Sequence, residues 1–202
     1  MKFLRNNGLT IALLALFLGS AGGMLVSGLH AFNDEAAAHG RPALSLLGFA
    51  LSGRFLSAFF ENWESEFLQM AAYVVLTAYL FQKGSAESRD PDEPAERDKA
   101  PASWFYAHSL GLVLAGLFVA SFVLHLWGSY RDAVEDAAAH AQPPPDFAAY
   151  ALDPAFWFES FQNWQSEFFA TAALVVLSIF LRYRGSPESK RVEDPHWDKT
   201  GR

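Results

Sequence analysis

Residues 8–29, GLTIALLALFLGSAGGMLVSGL, form a run of 22 residues without a charged side chain. A second run, LGLVLAGLFVASFVLHLW at residues 110–127, has His125 as its only titratable group. A helix of about 20 apolar residues crosses the ~30 Å hydrocarbon core of a bilayer. The two runs therefore predict an integral membrane protein, and they exclude a soluble enzyme or a disordered chain.

The overall composition excludes several other classes of protein. The net charge of −7 leaves no basic stripe for binding nucleic acid. The chain has no cysteine, so a disulfide scaffold and thiolate metal sites are excluded. No nucleophile elbow, phosphate loop or HExxH motif is present, and we expect a non-enzymatic protein without a cofactor. A haem is disfavoured because His125 corresponds to Met24 in the repeat described next.

The chain repeats itself at an offset of 101 residues. NWESEF at 62–67 returns as NWQSEF at 163–168, and GSAES at 84–88 returns as GSPES at 185–189. Between positions 55 and 88, 17 of 34 residues are identical to their counterparts. Because average composition gives about two such matches by chance, the pattern indicates an internal duplication.

Each repeat contains two apolar segments, which predicts an all-α membrane protein with four transmembrane helices. The second and fourth helices are long enough for their outer ends to extend beyond the membrane. The predicted spans are 8–29, about 63–82, 108–128 and about 164–182. Asp153 followed by Pro154 predicts the start of the fourth helix, and Gly84 and Gly185 are predicted to follow the ends of the second and fourth helices. The predicted parts are a first two-helix repeat at 1–90, a charged linker at 91–103, a second repeat at 104–190 and a tail at 191–202.

The basic residues predict the orientation of the chain. The N-terminus, residues 83–103 and residues 182–202 together hold 12 of the 15 Lys and Arg residues, and the other side holds Arg41, Arg54 and Arg131. The positive-inside rule places both termini and the linker in the cytoplasm. Both repeats then insert the same way up, as parallel repeats.

Two glutamates, Glu66 and Glu167, are expected about one turn inside the outer boundary. A polar stripe surrounds them, formed by Asn62 and Ser65 in the first repeat and Asn163 and Ser166 in the second. An intramembrane carboxylate faces a partner or a cavity, so the pair is a candidate ion or proton site. The alternative is that these side chains hydrogen-bond between helices and fix the packing.

Three further patterns carry weaker predictions. Glu35-x-x-x-His39 and Asp136-x-x-x-His140 offer metal ligands on one helix face, although solvated i, i+4 pairs are the simpler explanation. Small residues spaced by four predict close helix packing in the first and third spans. Tryptophans are expected at the outer interface. The packing residues are Ala15, Gly19, Gly23, Gly116 and Ala120, and the tryptophans are Trp63, Trp157 and Trp164.

The paired NWxSEF segments and the exit sequence LRYRGSPESK at 181–190 resemble an uncharacterised family of bacterial four-span integral membrane proteins. The resemblance covers nearly the whole chain and implies a location in the bacterial inner membrane. It carries no established activity. We expect a non-enzymatic scaffold or accessory subunit that binds other membrane subunits or forms a homo-oligomer. The alternative is a small proton- or cation-coupled transporter that uses the paired glutamates.

Overall fold

The computed structural model describes residues 2–90, 92 and 103–197, and within these ranges the regular structure is entirely helical. The predicted all-α class is therefore confirmed. The long helices are α1 (Lys2–Ala38), α3 (Gly53–Tyr79), α5 (Ser109–Ala139) and α7 (Pro154–Phe180), and the short ones are α2 (Leu46–Ala50), α4 (Trp104–Ala107) and α6 (Phe147–Ala151).

Two of the described helices are long and apolar enough to cross a membrane. They are α1 over Phe3–Ala38 and α5 over Ser109–Ala139. Helix α3 carries Arg54, Glu61, Glu64 and Glu66 in its first half, and these charges lower its hydropathy. The predicted linker at 91–103 and the end of the tail lie largely outside the described residues.

Helices α3 and α7 have the same length of 27 residues, and their bounds differ by 101. The predicted start of α7 is confirmed: Asp153 caps the helix by accepting the Ala155 N–H at 2.7 Å, and Pro154 is its first residue. Both helices end a few residues before the predicted glycines. The chain then turns through Gly84 and Gly185, whose φ angles of 87° and 84° suit glycine.

The contacts of the chain divide it into two units. The first consists of residues 1–59 and 126–147. Its buried apolar residues include Ala36 and Phe49. The Asn33 side chain joins α1 to the following loop by accepting the Leu44 N–H at 2.8 Å and donating to the Leu44 carbonyl at 3.1 Å. These contacts fold the loop after α1 back onto the helix.

The second unit consists of residues 60–125 and 148–202. Phe156 and Ile179 are its buried apolar residues among those described. The Ser85 and Ser178 hydroxyls, both buried, are 2.8 Å apart and join the loop after α3 to α7. The site described next lies wholly within this unit.

Candidate functional site

Three helices of the second unit meet at a buried polar cluster of Glu64, His125 and Trp164. Glu64 of α3 and His125 of α5 each have 0% of their surface exposed. The imidazole Nδ1 of His125 lies 3.0 Å from Oε2 of Glu64. The indole Nε1–H of Trp164, on α7, donates to Oε1 of Glu64 at 3.0 Å. One carboxylate therefore holds a side chain from each of two other helices.

Aromatic rings surround this cluster. The Phe156 ring lies 5.0 Å from the imidazole of His125, between ring centroids. Phe122 packs against Phe156 at 5.8 Å, Trp157 at 5.9 Å and Trp164 at 6.4 Å. The rings exclude water, and a low-dielectric surrounding strengthens the hydrogen bonds inside it.

A second contact between α3 and α7 lies one turn away. The Asn163 amide donates to Oε1 of Glu61, so consecutive residues of α7 donate to carboxylates three residues apart on α3. Two turns further along, the Gln69 amide donates to the Thr171 hydroxyl. Side-chain hydrogen bonds thus follow the line of contact between α3 and α7 inside the second unit.

Two buried polar atoms at this site have no hydrogen-bond partner among the described residues: Nε2 of His125 and Oγ of Ser160. Ser160 lies on α7 one turn from both Phe156 and Trp164, on the face that carries the cluster. An imidazole that donates Nδ1–H to Glu64 keeps Nε2 as an acceptor. The cluster can therefore hold helices together, and it can also accept one further proton.

Two members of the cluster, Glu64 and His125, lie at positions where the two repeats differ, whereas Trp164 matches Trp63. At the matched positions 101 residues apart, Glu61 and Glu64 correspond to Gln162 and Gln165, and His125 corresponds to Met24. The sequence analysis used the difference between His125 and Met24 only to disfavour a haem, and it did not consider the differences at Glu61 and Glu64. Glu64 and His125 each occur in only one of the two repeats. This difference between the repeats is the sequence signal from which the site could have been predicted.

The predicted pair of glutamates lies at the edge of this arrangement. Glu66 is exposed and Glu167 is partly buried. The hydroxyls of Ser65 and Ser166 donate to the backbone carbonyls of Asn62 and Asn163, at 2.9 and 2.8 Å. The hydrogen bonds of these two serines therefore involve the backbone and do not link them to the glutamate side chains. An ion site at Glu66 and Glu167 stays a prediction.

The candidate metal ligands are exposed residues near the ends of α1 and α5. The carboxylate of Glu35 lies 2.7 Å from a guanidinium nitrogen of Arg54, and Nδ1 of His39 lies 2.8 Å from the Glu35 carbonyl oxygen. His140 makes the same backbone contact with Asp136, at 2.9 Å. Across the described ranges, no group of three or more His, Asp or Glu residues is placed to hold a metal.

The predicted packing residues are all exposed. They are Ala15, Gly19 and Gly23 in α1, and Gly116 and Ala120 in α5. A Cβ atom added to Gly19, Gly23 or Gly116 meets no atom within 4 Å. Contact through these faces stays a prediction, for which the described residues supply no partner. Trp63, by contrast, packs edge-on against Phe60 and Phe67, at 5.7 and 6.0 Å.

Close helix packing occurs instead at Gly53 and Gly128, which the sequence analysis did not predict as packing residues. In the first unit, a Cβ on Gly53 of α3 would lie 2.7 Å from the Gly128 carbonyl oxygen of α5. A Cβ on Gly128 would lie 2.5 Å from the Ser57 nitrogen. Only glycine allows these backbones to approach so closely.

The fold and the site together define an all-helical protein with two helices suited to crossing a membrane and a buried carboxylate–imidazole pair. The chain belongs to the family described as Domain of unknown function (DUF6766), which its sequence matches over residues 1–202. No curated protein and no solved structure matches it.

Proposed function

We propose that this protein is a non-enzymatic scaffold or accessory subunit of the bacterial inner membrane, formed by two parallel helical hairpins that cross the membrane four times. The apolar helices α1 and α5 support the membrane location. The matched bounds of α3 and α7, and of α2 and α6, support the duplication, because each pair differs by 101 residues. In this arrangement the termini and the linker lie in the cytoplasm.

The burial of Glu64 and His125 is the observation that carries the scaffold proposal. A transported ion needs a polar path to its binding group, and ionisable residues that serve transport face a cavity. Here the two side chains are closed off by Phe122, Phe156 and Trp164, and no part of either is exposed. Such an arrangement suits a group that fixes helix packing.

Proton-coupled transport is the second candidate, and a specific observation favours it. Nε2 of His125 is buried without a hydrogen-bond partner among the described residues, which leaves a place for a proton. If the protein transports protons, Glu64 and His125 together hold the transported proton. The hydrogen-bonded pair of Glu61 and Asn163 lies beside them.

Proton flux into liposomes separates the two functions. We expect liposomes containing the purified protein, with a trapped pH dye and an imposed membrane potential, to acidify no faster than protein-free liposomes. Flux above that of protein-free liposomes that is abolished by Glu64→Gln, or by the double variant Glu66→Gln, Glu167→Gln, would contradict the scaffold proposal and support transport.

A positive test of the scaffold role uses extracts of native membranes in a mild detergent. We expect the chain to migrate in native electrophoresis with a second membrane protein at a fixed ratio. Migration as the free chain alone would count against a scaffold, whatever the result of the flux measurement.

A further inference from the structure

The loop after α7 encloses a hollow of about 410 Å³ that is lined mainly by cationic and hydroxyl side chains. Arg184, Lys190 and Arg191 contribute the positive charges, and Glu193 is the one acidic residue of the lining. The hollow therefore has an excess of positive charge. It belongs entirely to the second unit and is separate from the cluster at Glu64.

The loop is closed by its own hydrogen bonds. The Tyr183 N–H donates to Oγ of Ser189 at 2.8 Å. The buried Lys190 ammonium donates to the carbonyls of Pro195 and His196, both at 2.8 Å. Lys190 thus supports the loop from inside, and none of these hydrogen bonds involves the side chain of Arg184 or Arg191.

Three donors remain available at the hollow. Arg184 and Arg191 are exposed, and neither guanidinium has a hydrogen-bond or ion-pair partner among the described residues. The Ser186 hydroxyl oxygen accepts the Glu188 N–H at 3.2 Å, but its own O–H has no acceptor there. Two guanidinium groups and a hydroxyl are the donors that bind a phosphate group, since arginine matches phosphate oxygens in a bidentate geometry.

The matched loop after α3 provides an internal comparison. It closes in the same way, because the Gln82 N–H donates to Oγ of Ser88 at 2.8 Å. The charge that corresponds to Arg184, however, is neutralised: Lys83 lies 2.6 Å from Asp92. Asp90 stands where the second loop has Arg191. The unpaired arginines are therefore a property of the second loop and are not required by the loop fold.

The neighbouring side chains are typical of a membrane interface. Tyr183 is exposed beside Arg184, and the exposed Trp197 packs edge-on against Phe180 at 5.3 Å. Tyrosine and tryptophan are enriched at the level of lipid headgroups, and basic residues on the cytoplasmic side attract anionic lipids. If α7 crosses the membrane as proposed above, the hollow lies at the inner headgroups.

We propose that Arg184, Arg191 and Ser186 bind the phosphate of an anionic phospholipid in the inner leaflet. This inference rests on the proposed membrane arrangement for the position of the loop. The binding itself is a property of the loop and can be measured in detergent, without reference to the orientation of the chain.

Native mass spectrometry of the purified full chain, titrated with phosphatidylglycerol or phosphatidylcholine, tests the proposal. We expect phosphatidylglycerol to bind in preference. The double variant Arg184→Gln, Arg191→Gln should weaken this binding by about thirtyfold, because each basic residue near an anionic surface contributes about 1 kcal/mol. The matched control Lys83→Gln, in the first loop, should bind as the wild type does.

Three outcomes would overturn the proposal. They are equal binding of the two lipids, an unchanged affinity in the double variant, and the same loss in the Lys83→Gln control. Free inorganic phosphate is added as a competitor, and displacement of the lipid at equal concentration would assign the site to a soluble anion. Because a cysteine-labelling experiment reads the membrane orientation separately, failure of the lipid site and failure of the proposed arrangement can be told apart.

Discussion

Replacement of Gly128 by alanine is expected to destabilise the protein by about 3 kcal/mol, at the upper end of the usual cost of overpacking. The added Cβ would lie 2.5 Å from the Ser57 nitrogen and 2.9 Å from the Leu56 carbonyl carbon. Both are backbone atoms, so no side chain can turn aside and α3 must move away from α5. Unfolding by a denaturing detergent, followed by circular dichroism, measures the loss.

Gly116 of the same helix provides the matched control. A Cβ there meets nothing within 4 Å, so Gly116→Ala should leave the free energy of unfolding unchanged or raise it slightly through better helix propensity. Gly53→Ala should resemble Gly128→Ala, because its Cβ would meet the backbone of α5. Equal stabilities for Gly128→Ala and Gly116→Ala would show that the close approach of α3 and α5 is wrong.

Removal of the Glu64 carboxylate should have the largest effect of any polar substitution. Glu64→Leu leaves the Nδ1 atom of His125 and the Nε1–H of Trp164 without their partner, inside a site that water does not reach. Breaking a buried pair in this way costs about 3–5 kcal/mol. The same detergent unfolding experiment reports the change, and an effect no larger than that of Glu66→Leu at an exposed position would contradict the cluster.

The conservative variant identifies the cause of that loss. Glu64→Gln keeps an oxygen for Trp164, and its amide NH2 donates to Nδ1 of His125 when the imidazole proton moves to Nε2, so we expect a cost of about 1 kcal/mol, typical of one hydrogen bond. The repeat already has Gln165 at the matched position. In the double variant Glu64→Leu, His125→Leu, part of the stability lost in Glu64→Leu should return, because the buried imidazole is removed with its partner.

The helices could be predicted from the sequence because their signals are local. Uncharged runs predicted the apolar helices α1 and α5, and Asp153 followed by Pro154 predicted the start of α7. The ends of α3 and α7 were placed too late. Gly84 and Gly185 mark the turns, but α3 and α7 end a few residues before them. Near each helix end, a serine hydroxyl of the following loop accepts a backbone N–H.

The site could be predicted only in part, because burial depends on which face of each helix meets another. Within the NWESEF segment the sequence analysis singled out Glu66, but Glu64 is buried and Glu66 is exposed. Two residues along a helix differ by about 200° in direction, so spacing alone cannot choose between them. The partner His125 lies 61 residues away, and a local pattern cannot reveal such a contact.

The four-span arrangement is tested most directly by labelling single cysteines, which this cysteine-free chain makes possible. A membrane-impermeant maleimide is applied to whole cells that carry Ser103→Cys or Gln142→Cys. Both residues are exposed, and His39→Cys is the external control. If α3 and α7 cross the membrane, Gln142→Cys is labelled in intact cells and Ser103→Cys only after permeabilisation. If only α1 and α5 cross it, the loop before α5 stays outside, and labelling of Ser103→Cys but not Gln142→Cys in intact cells would contradict the account.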